Sequence, residues 1–196
     1  MMTTPCTAPT ASLPVWQGRL VHIYISSGHD YWGKQGEGRM QSGIQDVTSV
    51  ECVEGKGLRG DRYFNTKPGN KGQVTFFDAA TVEEVRNKFK LPKLPASIFR
   101  RNLIVEGMKL QEWIGARFQF QGIEFEGTQE CRPCHWMSRV VASGVEEFMR
   151  DHFRGGLRAK VLSSGILKVQ PVQEMPVVDN QRGSLEESIN NDSTAP

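Results

Sequence analysis

The chain has 196 residues, 38% of them hydrophobic and 23% charged, enough apolar material for one sizeable core and for no more than two small ones. No window approaches the ~18–20 uninterrupted apolar residues of a membrane helix. The opening MMTTPCTAPTASLPVW has neither the basic nor the apolar segment of a secretory leader, so the expectation is a cytoplasmic protein with no membrane contact. The net charge of +2 is uneven: from Val172 onward Glu174, Asp179, Glu186, Glu187 and Asp192 face Arg182 alone, a net of −4, which leaves +6 on the remainder. A basic body could serve nucleic acid, but the arginines are spread through turns and no recognition helix or RNP-type aromatic motif accompanies them. A small anionic ligand suits scattered arginines better, and no nucleic-acid partner is expected.

In chain order, residues 1–15 read as a flexible segment and GRLVHIYI (18–25) as the first strand, with Leu20, His22 and Tyr24 on one face and Val21, Ile23 and Ile25 on the other. DVTSVECV, QVTFF, RNLIVEG, ARFQF, GIEFEG, LRAKVL and GILKVQ follow, each bounded by Gly, Pro or Asn. So many short strands predict a mainly β protein, a closed or partly closed barrel. Two helices interrupt it. One covers about 79–90, where Asp78 can cap the first turn and Val82, Val85 and Phe89 form the apolar stripe. The other covers about 144–153, where Ser143 and Glu146 are spaced as a capping box. The last segment, 173–196, is acidic and poor in apolar residues and reads as disordered, leaving one domain over 16–172.

Three stretches carry candidate chemistry. GKGLRG (55–60) fits the dinucleotide fingerprint G-x-G-x-x-G, but the turn formers of DRYFNTKPGNKG follow it where a helix should open, so that reading fails. What remains is a turn that places Arg59 and Arg62 near an anion, or a plain surface turn with solvated arginines. In FRRNLIVEG, strand alternation would put Arg100 and Asn102 on one face and Arg101 on the other, one guanidinium fork and one amide suited to a phosphate and a heterocycle edge. In CRPCHWM (131–137), two cysteines three apart precede a histidine. Zinc would need a second close ligand pair, which Cys52, His22, His29, His135 and His152 do not supply, and a thioredoxin-like dithiol would want a βαβ surround. The haem pattern C-x-x-C-H belongs usually to exported proteins, and in a reducing compartment the four cysteines, Cys6 included, are expected as free thiols.

Taken together, GKGLRGDRYF, QVTFFDAATVEEV, FRRNLIVEG, IGARFQFQGIEFEGTQECRPC and GGLRAKVLSSG, in this order, resemble the MOSC domain over roughly residues 18–170. The resemblance implies a MOSC-type β-barrel with two or three short flanking helices. It further implies either binding of a molybdenum pterin cofactor for reducing N-hydroxylated compounds or carriage of sulfur for cofactor assembly. On this reading Cys134 matches the family's essential cysteine and would be the metal ligand and catalytic group, with Cys131 and Arg132 beside it. Arg100 and Asn102 match cofactor-holding positions, Asp78 and Thr81 fall near a polar cofactor-contacting stretch, and Arg59 and Arg62 would surround the anion. A thiolate suits molybdenum because soft sulfur donors prefer such metals.

The implied partners are a small N-hydroxylated substrate and an electron-donor redox protein. For the sulfur carrier, with a persulfide on Cys134, the partner would be a cysteine desulfurase. A third reading is a non-enzymatic cofactor-binding module. The chain has no room for the aminotransferase-like domain of the cofactor sulfurases, so no pyridoxal phosphate is expected in it, and it lacks the additional amino-terminal barrel of the amidoxime reducers. SSGHDYWGKQGEGRMQSG (26–43) would then cover the site as a lid, or else form a surface loop or dimer contact in a monomer or homodimer.

Overall fold

A computed structural model of the chain describes residues 12–29 and 42–171. Residues 1–11, 30–41 and 172–196 lie outside the described residues, and with them fall most of the segment expected to be flexible (1–15), most of the expected lid (26–43) and the acidic tail (173–196). Pro14 and Trp16 exchange backbone hydrogen bonds with Gln119, and Val15 bridges to the same residue.

Among the described residues ten strands form two sheets. The first has seven strands: β1 (Arg19–Ile25), β2 (Gln45–Val47), β5 (Val74–Asp78), β6 (Leu103–Glu106), β7 (Arg117–Phe120), β8 (Ile123–Glu130) and β9 (Leu157–Val161), in the order β2-β1-β6-β5-β9-β8-β7. The second pairs β10 (Gly165–Lys168), β3 (Ser49–Val53) and β4 (Gly57–Leu58). Among the described strands β5 and β6 are the one parallel pair, joined by a crossover through helix α1 (Ala79–Phe89), as parallel neighbours require.

The expected closed barrel is not found. Among the described residues β2 and β7 end the ladder without pairing to each other. Strand β2 is only three residues long and the chain passes from it into β3, which pairs with β10; the approach to closure is limited, among the described residues, to the short pairing of Pro14 and Trp16, just before β1, with Gln119 of β7. The result is a mixed sheet with a small second sheet over one face. Leu20, Ile23, Phe76, Leu103, Val105, Phe118 and Phe125 of the large sheet bury their side chains against Val50, Cys52, Leu58 and Leu167 of the small one. The other face carries Tyr24, Phe77 and Ile104 against Val82 and Val85 of α1 and against Met137, Val145 and Met149.

Alternation in β1 breaks where the sequence predicted it to continue. A bulge between Leu20 and His22 in the pairing with β6 inserts one residue, so Leu20 and Ile23 enter one core while Val21 and Tyr24 enter the other. Helix α1 forms as expected: the Asp78 carboxylate accepts from Ala80 N at 2.9 Å, and Lys90 closes the helix in the left-handed region. The second predicted helix differs. Helix α2 (Trp136–Val140) precedes it, and α3 (Val145–Arg150) starts from Gly144 without a side-chain cap before passing into a 3-10 turn, Asp151–Phe153. The Ser143 capping box does not form, because Ser138 Oγ accepts from Glu146 N instead.

Beneath these elements lies one buried polar network. Asn102 Oδ1 accepts from Thr75 N at 3.1 Å and Thr75 Oγ1 at 2.9 Å, while its Nδ2 donates to Tyr24 O at 3.1 Å and Asp61 Oδ2 at 3.0 Å. Asp61 also accepts from Ser26 N and Tyr63 N. These contacts tie β1, β5, the start of β6 and the turn after β4 together. Replacing Asn102 with Leu would leave a carboxylate oxygen, a hydroxyl and two backbone groups without these partners. The expected loss is about 3 kcal/mol or more, read as a lower urea midpoint at unchanged slope.

Candidate functional site

A pocket of about 210 Å³ opens beside this network, lined by Arg62, Tyr63, Asn70, Gly72, Thr75, Arg100, Arg101, Cys131, Arg132, Cys134 and Arg158. Among the described residues, five guanidiniums and two thiols face this space and no carboxylate lines it. Such a lining concentrates anions.

Of the residues singled out in the sequence, the fold gathers Arg62, Arg100, Cys131, Arg132 and Cys134 around this pocket. Arg62 is held by its own backbone, whose N–H donates to Ser26 O at 2.7 Å, and its guanidinium lies 3.5 Å from the buried Asp61 carboxylate. Its Nε is buried and has no hydrogen-bond partner among the described residues. Arg100 donates through Nη2 to Gly28 O at 2.7 Å and Ser26 Oγ at 3.2 Å. Ser26 Oγ itself donates to Gly28 O and Gly43 O, and Ser42 Oγ to His29 O, so the two ends of the 30–41 connection are clasped at the pocket wall.

The strand argument for Arg100 to Asn102 is overturned. Arg100 has φ 54 and ends a 3-10 turn, Ala96–Phe99, so alternation begins only at Leu103. Arg101, expected on the opposite face, lines the pocket and clamps it from behind, donating to Gly155 O at 2.9 Å, Phe99 O at 2.9 Å and Cys131 O at 3.0 Å. Asn102 does not line the pocket; it supports Thr75, which does.

Arg59 turns away, pairing with Glu51 on the surface over the Phe64 ring. Asp78 and Thr81 also lie elsewhere, in a hollow of about 480 Å³ shared with Glu84 and His152, where Asp78 serves the helix cap.

Sequence reasoning passed over Tyr63, Asn70, Thr75, Arg101 and Arg158. Arg158 sits on β9 and its Nε donates to Cys131 Sγ at 3.5 Å. A basic residue alternating with Leu157 and Ala159 in LRAKVL was the available signal. Cys131 is buried, and its N–H donates to Gly156 O at 2.7 Å. Gly156, at φ +90, admits no side chain there, since a Cβ would come within 2.4 Å of Phe76 O. Cys134 is exposed, and its carbonyl accepts from Met137 N at 2.8 Å. Cys52 lies far from this chemistry in the core between the sheets, and burial, followed by the neighbouring Glu51, pushes its thiol up to about 12. Among the described residues no group of three or more His, Cys, Asp or Glu could hold a metal ion by itself, and no helix is long and apolar enough to cross a membrane.

The fold and its pocket thus define a class: a mixed β domain that presents free thiols to an arginine-lined hollow. The sequence profile of the MOSC domain matches residues 65–172, more than half of the chain, and the chain belongs to the MOSC domain family. Solved structures agree at the level of fold. The YuaD protein of Bacillus subtilis superposes with a TM-score of 0.59 at 17% identity, over 78% of this chain and 91% of that one. YiiM from Escherichia coli gives 0.55 at 16% identity, over 78% of this chain and 66% of YiiM, just under two thirds of its length. YiiM from Geobacillus stearothermophilus gives 0.54 at 12% identity, over 78% and 71%. No curated protein matches the sequence.

Two expectations follow. Native protein treated with iodoacetamide at pH 8 should be modified at Cys134 while Cys52 reacts only after unfolding, as mapped by peptide mass. The second concerns His29, whose imidazole is held below its usual 6.5 by burial, then by Arg62 and Arg100, against an opposing pull from Asp61. Because the folded value is the lower one, the unfolded chain binds more protons between the two values. The His29 contribution is therefore complete above about pH 6.5 and is lost as pH falls through the folded value. His29→Gln should flatten that part of the stability–pH curve measured by denaturation.

Proposed function

We propose that the chain binds a molybdenum pterin cofactor in the thiol pocket, with Cys134 as its thiolate ligand, and acts as an oxotransferase that reduces N-hydroxylated compounds with electrons from a partner redox protein. The observation that carries this reading is the pocket lining, which among the described residues holds five guanidiniums and two thiols and no carboxylate, and which suits a ligand that is anionic and has a sulfur-seeking metal. The buried Nε of Arg62, without a partner among the described residues, fits the same ligand as a donor awaiting an acceptor.

When bound, the cofactor supplies a two-electron centre able to take an oxygen atom. Everything else is the work of the chain. Arg62, Arg100 and Arg158 supply positive charge on three sides, Arg101 fixes the backbone of the cysteine segment, and the exposed Cys134 presents a soft donor at the mouth. At about 210 Å³ the pocket is smaller than the ~300–1,000 Å³ that encloses a whole drug-sized ligand, so it grips one end of the cofactor and leaves the other outside. The exposure of Cys134 favours a second reading, in which that thiol carries a persulfide received from a cysteine desulfurase.

The deciding experiment is elemental analysis for molybdenum, with oxidised-pterin fluorescence, on protein made in a host that synthesises the cofactor. Wild type should carry the metal, and Arg158→Ala should bind it about tenfold to a hundredfold more weakly, the loss of one charge-assisted contact. Cys134→Ser should abolish reduction of N-hydroxylated substrates. Wild type free of molybdenum but bearing one additional sulfur atom on Cys134 would select the second reading.

A further inference from the structure

The pocket holds more reactive sulfur than a single ligand role uses. Cys131 is the better built of its two thiols: its peptide is held at both ends, by Gly156 O on the N–H and by Arg101 on the carbonyl, and Arg158 Nε donates to its sulfur at 3.5 Å. It faces a small space ringed by guanidiniums, with Cys134 in the same lining.

We propose that this pocket is a sulfurtransferase site for small thio-oxyanions, thiosulfate above all, with Cys131 as the acceptor and Cys134 as the resolving thiol. Thiosulfate engages both kinds of group at once. Its sulfonate oxygens are acceptors that guanidinium forks bind in pairs, and its terminal sulfur is open to attack by a thiolate. A space of about 210 Å³ suits an ion of that size, whereas larger anions would protrude.

In the first step the Cys131 thiolate attacks the terminal sulfur of thiosulfate. The bond between the two sulfurs of the ion breaks, sulfite leaves with the electron pair, and a persulfide remains on Cys131. The transferred sulfur keeps its oxidation level. Arg158, already on the Cys131 sulfur, and the neighbouring arginines offset the negative charge of the attacking thiolate and of the departing sulfite. In the second step the Cys134 thiolate attacks the inner sulfur of the persulfide and expels hydrosulfide. The two thiols lose two electrons to form the Cys131–Cys134 disulfide, and the transferred sulfur gains them. A low-molecular-weight thiol then reduces the disulfide. Across one turn, thiosulfate and two thiols give a disulfide, hydrosulfide and hydrogen sulfite, with every atom and charge accounted for.

This inference needs no cofactor and stands apart from the molybdenum reading. The test uses reduced, metal-free, full-length protein in a Cys6→Ser background, incubated with sodium thiosulfate. Sulfite and sulfide are quantified, and the protein is weighed by intact mass. Wild type should release one sulfite per chain and end as a disulfide. Cys134→Ser should release the same sulfite and retain one additional sulfur atom, removable by dithiothreitol. Cys131→Ser and Cys131→Ala should release none. Arg158→Ala should slow sulfite release at least tenfold, Arg158→Lys should recover part of the rate, and sulfate should compete. Sulfite release no greater than from unfolded protein would overturn the proposal, as would full release from the Cys131 variants. Neither result alters the molybdenum content of wild type, so this proposal and the cofactor reading fail separately.

Discussion

The hydrogen bond between the Asn102 amide and the Asp61 carboxylate, 3.0 Å long, is the constraint on which the rest of the molecule depends. A buried carboxylate is costly unless its oxygens are satisfied. Asp61 meets that demand from three directions, the amide of Asn102, the backbone of Ser26 and the backbone of Tyr63, with Arg62 supplying the countercharge. Because these partners belong to different parts of the chain, satisfying one charge fixes the relative position of the first strand, the turn after β4 and the start of β6. Three pocket residues follow directly: Arg62 and Tyr63 flank that turn, and Thr75 is locked by the other side of the Asn102 amide.

The same arrangement explains how several guanidiniums can share one small space. Arginines crowded together repel, and three of the five are kept here by bonds to neutral groups: Arg100 to backbone and hydroxyl oxygens at the base of a loop, Arg101 to three carbonyls, Arg158 to a sulfur. Carbonyl oxygens anchor a guanidinium without cancelling its charge. An anion entering the pocket therefore meets positive charge already oriented, and little side-chain entropy is lost on binding. Arg62 and Arg132 differ, lying 3.5 and 3.6 Å from the carboxylates of Asp61 and Glu130.

Much of this was legible in the sequence and the limits have physical causes. The strands, the capped α1 and the cysteine motif could be read from alternation, turn residues and spacing, which are local signals. The barrel could not be distinguished from an open mixed sheet, because closure depends on which edge strands meet, and a three-residue β2 carries no mark of its pairing. Arg100 and Arg101 were assigned to faces by assuming a strand, whereas the left-handed backbone at Arg100 resets the direction of everything after it. Asn102 read as a ligand-holding amide; its bonding capacity is spent inside the protein. Arg158 went unnoticed because its partner, Cys131, is 27 positions away, just past the end of β8.

The bulge in β1 has a consequence for how this chain can change over time. Because one inserted residue sends Leu20 and Ile23 to one side of the sheet and Val21 and Tyr24 to the other, both apolar layers take their alignment from the same few peptides. Losing or gaining a single codon there would exchange the two sets of side chains and spoil two interiors together. Substitutions in β1 can accumulate one at a time, while its length is held fixed by both faces at once, so among relatives this strand should vary in letters but never in count.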